Sequence, residues 1–324
     1  MYKMKKIERW GGLLCIVSFG LLYGCARTQA PDLSQKPDLI DSGNHALTEL
    51  EWEEIRSISG EHRLAFGPDF KVYSTNAKKT SRVGVFRVES VDQCKTFIDL
   101  SEWMASSQSN PLVVSDIKVD DQGRLLIAEK GTGKLLRVSS TAKKLEVLAD
   151  SYDGYRFSSI EDIEIGINGD HYLSSPESGV IYRIDSELGQ VGILNEKVIS
   201  PGAICIRSGY DQLIVSEPDF YRVIVFDLGK EISSVRFRSL IDFFPQQIKP
   251  QGLAFDSRGR LYVSLGDRNE IRVFDLVGAK EVGKIMTEHF AGSLFIHENI
   301  LYLGGGKKLK KIEIQESYQI LPFR

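Results

Sequence analysis

A phrase that the chain repeats constrains its fold more than any other feature. The clearest copy runs from Pro250 to Ser264 as Pro-Gln-Gly-Leu-Ala-Phe-Asp-Ser-Arg-Gly-Arg-Leu-Tyr-Val-Ser, followed by Glu270-Ile-Arg-Val-Phe-Asp275. Valine, isoleucine, phenylalanine and tyrosine dominate the apolar runs, which suits strands; the Gly and Asp positions suit tight turns. Related copies open at Ser115, Glu161 and Pro201, and weaker ones at Arg63 and Ser293. A period of roughly 40–45 residues made of four short strands is the signature of a propeller blade. The six copies between Arg63 and Ile314 therefore predict an all-β, six-bladed β-propeller.

The last copy leaves only Ser317–Arg324 for a fourth strand, whereas the strand-like stretch Leu50–Ile58 precedes the first copy. Closing the ring removes two unpaired sheet edges, so Leu50–Ile58 is expected to complete the last blade. One closed propeller accounts for residues 49–324, and no second domain is needed.

The first residues read as an address. Met1–Trp10 is basic, and Gly11–Tyr23 is an uncharged, mostly apolar run of 13 residues, short of the roughly 20 that span a bilayer. It ends Leu22-Tyr23-Gly24-Cys25, which resembles the cleavage box of bacterial lipoproteins. That resemblance implies a signal peptide over 1–24 and lipidation of Cys25 by a diacylglyceryl thioether and an amide-linked chain such as palmitate. Ala26 after the cysteine implies the outer membrane, facing the periplasm, over the inner one. Residues 25–48 are polar and contain proline, so a flexible tether is expected there.

A formal net charge of -3 gives no basic footprint for nucleic acid. The lysines at Lys307, Lys308, Lys310 and Lys311 read as a solvated strand edge. With Cys15 in the signal and Cys25 lipidated, Cys94 and Cys205 remain. Buried free thiols are expected, with a disulfide as the alternative in an oxidising compartment.

In a propeller the innermost strands begin, and the second strands end, beside the mouth of the central channel. Innermost-strand starts supply His62, Ser115, Asp116, Glu161, Asp162, Pro201, Gln251 and Gly292; second-strand ends supply Thr75, Glu129, Ser175, Glu217 and Gly266, with Asp267 just beyond. Carboxylates crowded at one mouth either bind a cation or accept turn hydrogen bonds and pair with nearby Arg and Lys. An oxygen-rich set suits Ca²⁺ better than Zn²⁺. The five histidines show no paired spacing, and neither a Gly-x-Ser-x-Gly elbow nor a phosphate loop is present. Tyr152–Phe157, Phe243–Lys249 and the stretch with Trp103 are aromatic connections on the mouth side, suited either to a ligand rim or to plugging blade junctions.

The region Arg63 to Ile314 resembles the NHL-repeat and gluconolactonase/senescence-marker/strictosidine-synthase group of six-bladed propellers. Its gluconolactonase branch implies a divalent metal held by a Glu, an Asn and an Asp at the mouth. In this chain His62, within Glu61-His62-Arg63-Leu64, stands at the first place, Pro201 at the second and Glu217 at the third. With all three changed and only the last keeping a carboxylate, these readings favour a monomeric, envelope-anchored module that binds a partner protein, a saccharide or another small ligand. Its ligand-binding residues would be Asp116, Glu129, Glu161, Asp162, Glu217, Gln251 and Asp267. The alternative is a metal-dependent hydrolase of the gluconolactonase type with an altered cation site drawn from Glu129, Glu161 and Glu217.

Overall fold

The structure is a computed structural model that describes residues 53–57, 63–68, 71–75, 82–87, 95–101, 113–195, 198–228, 237–266, 268–277, 280–288, 292–305 and 308–314. All of them belong to the compact unit Thr48–Arg324. The first strand is β1 (Glu53–Ser57); blade I then follows as β2 (Leu64–Phe66), β3 (Lys71–Thr75), β4 (Arg82–Arg87) and β5 (Lys95–Asp99). Blade II comprises β6 (Val114–Val119), β7 (Leu125–Glu129), β8 (Lys134–Val138) and β9 (Leu145–Ala149). A small hairpin, β10 (Ser151–Tyr152) and β11 (Tyr155–Arg156), leads into blade III: β12 (Asp162–Ile165), β13 (His171–Ser175), β14 (Val180–Ile184) and β15 (Val191–Asn195). Blade IV is β16 (Ile204–Arg207), β17 (Gln212–Glu217), β18 (Arg222–Asp227) and β19 (Phe237–Asp242). Blade V is β20 (Pro250–Phe255), β21 (Arg260–Leu265), β22 (Glu270–Asp275) and β23 (Lys280–Met286), and blade VI adds β24 (Ser293–His297), β25 (Ile300–Gly305) and β26 (Lys308–Glu313).

Each blade is an antiparallel meander, and the last has the order β1-β26-β25-β24. The N-terminal strand thus closes the ring, as the sequence predicts. Its register sets Glu53 opposite Lys311 and Glu54 opposite Lys310. The lysine-rich strand is therefore interior to its sheet, a correction to the solvated edge expected there. Lys310 is buried and paired with Glu288 at 2.6 Å. The innermost strands neighbour one another in the cycle β2, β6, β12, β16, β20, β24 and back to β2.

The repeated phrase maps onto this architecture piece by piece. Second strands are sandwiched between neighbouring blades, so β7, β13 and most of β17 and β21 are buried on both faces, and β7, β17 and β21 carry short apolar runs. Outermost strands such as β23 are half solvated. The Asp-x-x-Gly-Arg turn is locked by its first residue. Asp256 Oδ1 accepts the N–H groups of Arg258 and Arg260, its Oδ2 takes the Arg260 guanidinium at 2.6 Å, and Gly259 holds φ at +76°. Asp120, Arg124 and Gly123 repeat the arrangement in blade II.

The core is a set of interfaces between blades. Leu126, Leu135, Leu173 and Tyr182 join blades II and III; Ile181, Ile204, Leu213 and Ile224 join III and IV. At the seam between blades VI and I, Phe66 stacks on Phe295 with centroids 4.2 Å apart and meets Tyr302 at a tilt, with centroids 4.6 Å apart. Such ring pairs add to area burial at the junction where the chain closes on itself.

Candidate functional site: the axial channel

All six innermost strands contribute residues to one void at the ring axis. There they enclose a void of about 20 Å³, to which Leu64, Asp116, Asp162, Ile204, Leu253 and Leu294 each contribute from a different blade. That is room for about one water molecule. Arg63 and Lys118 also line it.

Two aspartates meet at this point. Asp162 Oδ1 accepts the Ile163 N–H at 2.9 Å, and its Oδ2 accepts the Ile204 N–H at 2.8 Å, tying β12 to β16. Asp116 Oδ2 accepts the same Ile163 N–H at 3.4 Å, which links β6 to β12. Burial, and then the neighbouring Asp162, push the Asp116 carboxyl well above its ordinary value. Two residues further along each strand, on the same face, Lys118 Nζ lies 3.3 Å from Glu164 Oε2. Burial works against the Lys118 ammonium, but Glu164, Asp116 and Asp162 together outweigh it and hold the group above its ordinary value. Burial lifts Glu164 against the pull of Lys118.

Glu161 lies next to this set and carries two cations. Arg63 Nη2 is 3.3 Å from Oε1, and Lys130 Nζ is 2.7 Å from Oε2. The same guanidinium donates to the Gly292 carbonyl at 3.3 Å.

The second-strand ends behave differently. Glu129 is 0% exposed; its oxygens accept the N–H groups of Val113, Gly131 and Thr132 and the Thr132 hydroxyl. Glu217 is also 0% exposed, accepts the Ile199 N–H at 2.6 Å and pairs with Arg222. At the equivalent place in blade III, Ser175 shares hydroxyl contacts with Ser158 and Ser178. The turn amides lie nearer to these side chains than the channel does, so Glu129 and Glu217 serve as turn caps and do not line the void. The structure thus draws Asp116 and Asp162 together, keeps Glu161 beside them, and separates off the two glutamates expected as cation ligands. Gln251 packs its side chain over Gly266, where an added Cβ would lie 2.6 Å from Gln251 Cγ. Asp267, His62, Trp103, Cys94 and Cys25 lie outside the described residues. Cys205 is a buried free thiol that burial pushes upward.

The aromatic connections do both things open to them. Phe157 and Phe243 are buried at blade junctions, whereas Tyr155 is 79% exposed and Phe244 is exposed beside Tyr221, with centroids 6.0 Å apart.

The divalent ion implied by the family resemblance can be tested against the donors present. Pro201 offers no side-chain oxygen, and the Glu217 carboxylate is already taken by a backbone amide and a guanidinium. Among the described residues no three His, Cys, Asp or Glu side chains are grouped to hold a metal. The described donors do not fit the ion.

Six four-stranded blades around a polar axial void define a six-bladed propeller. The chain belongs to the SMP-30/Gluconolactonase/LRE-like family, which it matches over residues 80–299. A gluconolactonase of Zymomonas mobilis is 23% identical over 170 residues, which cover 46% of this chain and 48% of that protein; the chain thus spans about half the length of this curated relative. Among solved structures, a gluconolactonase from Xanthomonas campestris superposes with a TM-score of 0.67 at 18% identity, covering 82% of this chain and 90% of that one. A calcium-binding regucalcin from Agrobacterium tumefaciens gives 0.63 at 12% identity, with 81% and 93% covered. At those identities the likeness is one of fold.

Proposed function

We propose that the protein is a hydrolase of the gluconolactonase type that opens a small cyclic ester over the axial void. One observation carries this reading: in a chain of this family, an acidic and a basic residue, Asp162 and Arg63, line the same water-sized space. Ester hydrolysis needs a base for water and a positive group over the developing oxyanion. Water held in the void would lose a proton to Asp162 as its oxygen bonds to the lactone carbonyl carbon, with Arg63 beside the oxyanion. The ring C–O bond then breaks, and the proton passes to the leaving alkoxide, giving a hydroxy acid.

The sequence supports placing this activity in the cell envelope, on a lipid anchor at Cys25 and a tether reaching to residue 48. A second reading, a non-enzymatic module for a saccharide or an envelope protein, is favoured by the exposed rings of Tyr155, Phe220 and Phe244 and by the closed-off Glu129 and Glu217. Proton release from a panel of five- and six-membered lactones distinguishes the two. The hydrolase reading expects saturable turnover that falls at least about 100-fold in Arg63→Gln. Lactone binding without turnover, followed by calorimetry, would support the module instead.

A further inference from the structure

We propose that an apolar patch at the seam of blades IV and V holds a hydrocarbon substituent carried by the lactone ring, so that the protein selects apolar lactones over polyhydroxylated ones. The assignment names the substrate class of the hydrolase reading and rests on it.

Ile199, Phe220, Tyr221 and Phe244 come from three connections that contacts draw into one surface. The Ile199 amide donates to Glu217 Oε1 at 2.6 Å, which sets Ile199 beside the Pro218–Phe220 turn. The Phe243 amide donates to the Tyr221 carbonyl at 2.7 Å, and the rings of Tyr221 and Phe244 meet edge to face with centroids 6.0 Å apart. Both turns end on a non-glycine residue in left-handed backbone, Tyr221 at φ +53° and Gln247 at φ +50°. Such strain persists only where the surroundings over-determine it, so the two turns are held in place. Ile199, Phe220 and Phe244 are nevertheless exposed, the last to 61%. A contiguous apolar surface of this kind marks a place where something binds.

The patch adjoins the void. Pro218 packs on Gly202, where an added Cβ would lie 3.3 Å from Pro218 Cγ, and the next residue, Ala203, lines the void. The connection that carries Phe244 runs into β20, whose Gly252 and Leu253 line it as well. Polarity then decides what fits. Asp219 is paired with Lys249 at 2.9 Å, Glu217 with Arg222, and Asp242 Oδ1 accepts the Phe244 N–H at 2.8 Å. A polyol needs partners for its hydroxyls beside the rings, and these carboxylates are already committed to groups of the chain. A hydrocarbon group needs only the carbon surface that the rings present next to neutralised pairs.

The test uses the full chain and three six-membered lactones. δ-Decalactone carries a pentyl group on the ring of δ-valerolactone, and glucono-δ-lactone carries hydroxyls. Wild type should hydrolyse δ-decalactone with a kcat/KM at least about tenfold above that for either other lactone, from roughly threefold per buried methylene. Phe244→Ser should narrow the decalactone-to-valerolactone ratio to about threefold or less, and Phe244→Leu should restore most of it. A wild-type ratio near one, a preference for glucono-δ-lactone, or a ratio that Phe244→Ser leaves intact would overturn the assignment. Ethers separate this from a failure of the hydrolase reading, because they keep the ring and have no ester to break. If no lactone is hydrolysed, calorimetric binding of 2-pentyltetrahydropyran at least about tenfold tighter than tetrahydropyran, lost in Phe244→Ser, would uphold the patch alone. Equal binding of the two ethers would end it.

Discussion

Glu217, at a second-strand end, and Asp116, near an innermost-strand start, have opposite fates. The Glu217 carboxylate turns into its own loop, where the Ile199 amide and Arg222 satisfy it completely. Glu217→Gln should cost about 2 kcal/mol in urea denaturation, because a buried charge-assisted contact is lost and Arg222 is left without its carboxylate. It should leave the Ca²⁺ response of the protein unaltered; a response that the substitution abolishes would restore Glu217 as a cation ligand. Asp116 instead faces the axis. A carboxyl raised in the folded state favours folding below its unfolded value of about 3.9, and that contribution is lost as pH rises through the folded value. Asp116→Asn removes the titration and keeps a donor toward Asp162. Its stability should therefore gain on that of wild type as the pH rises above about 4 in urea melts. A variant that instead loses stability relative to wild type as the pH rises would contradict the raised Asp116 carboxyl.

These two positions also mark what the sequence carried at this scale. Strand-end position is readable from the phrase, and it placed both residues at the mouth side. Which way a strand-end side chain turns depends on the amides of the following loop, and composition does not show that. Lys118 and Glu164 were readable in principle. Each lies two residues beyond an aspartate on an innermost strand, and alternation puts such residues on one face. Following that period inward from Asp116 and Asp162 would have found the axial set.

Among the elements, the connections between blades carry the tightest constraints. Gly133, in the turn between β7 and β8, sits at φ +65°, and a Cβ there would lie 2.1 Å from the Phe157 carbonyl oxygen. That carbonyl follows the β10–β11 hairpin and belongs to the entry into blade III, so this turn packs one blade's rim against the next. Gly133→Ala should lower stability by about 3 kcal/mol through backbone strain and overpacking, measured by chemical denaturation. A loss below about 0.5 kcal/mol would mean that the hairpin yields freely. Strand identity and the Asp-x-x-Gly turns were legible because each has a local cause: β-branched runs, a capping carboxylate and a glycine at positive φ. The aromatic connections were not resolved by sequence, since Phe243 is buried and its neighbour Phe244 exposed within one short loop.

For the whole molecule, closure of the ring gathers these parts into one site. The cycle of inner strands brings residues from Arg63 to Leu294 to a single void, and blade VI is completed by β1 from the start of the domain. Counting repeats was enough to foresee six blades and the closing strand. The chemistry at the axis depends on side chains from adjacent blades meeting across the ring, and a repeat pattern is silent about those meetings. The central claim is that this axial set hydrolyses a cyclic ester. The direct measurement is steady-state proton release from a six-membered lactone, in chelator, by wild type and by Asp162→Asn, a variant that keeps an acceptor for the Ile204 amide. The account expects wild-type turnover that persists in chelator and falls at least about 100-fold in a variant that melts within a few degrees of wild type. Equal rates in the two proteins, or turnover that vanishes with the chelator and returns with added Ca²⁺, would contradict it.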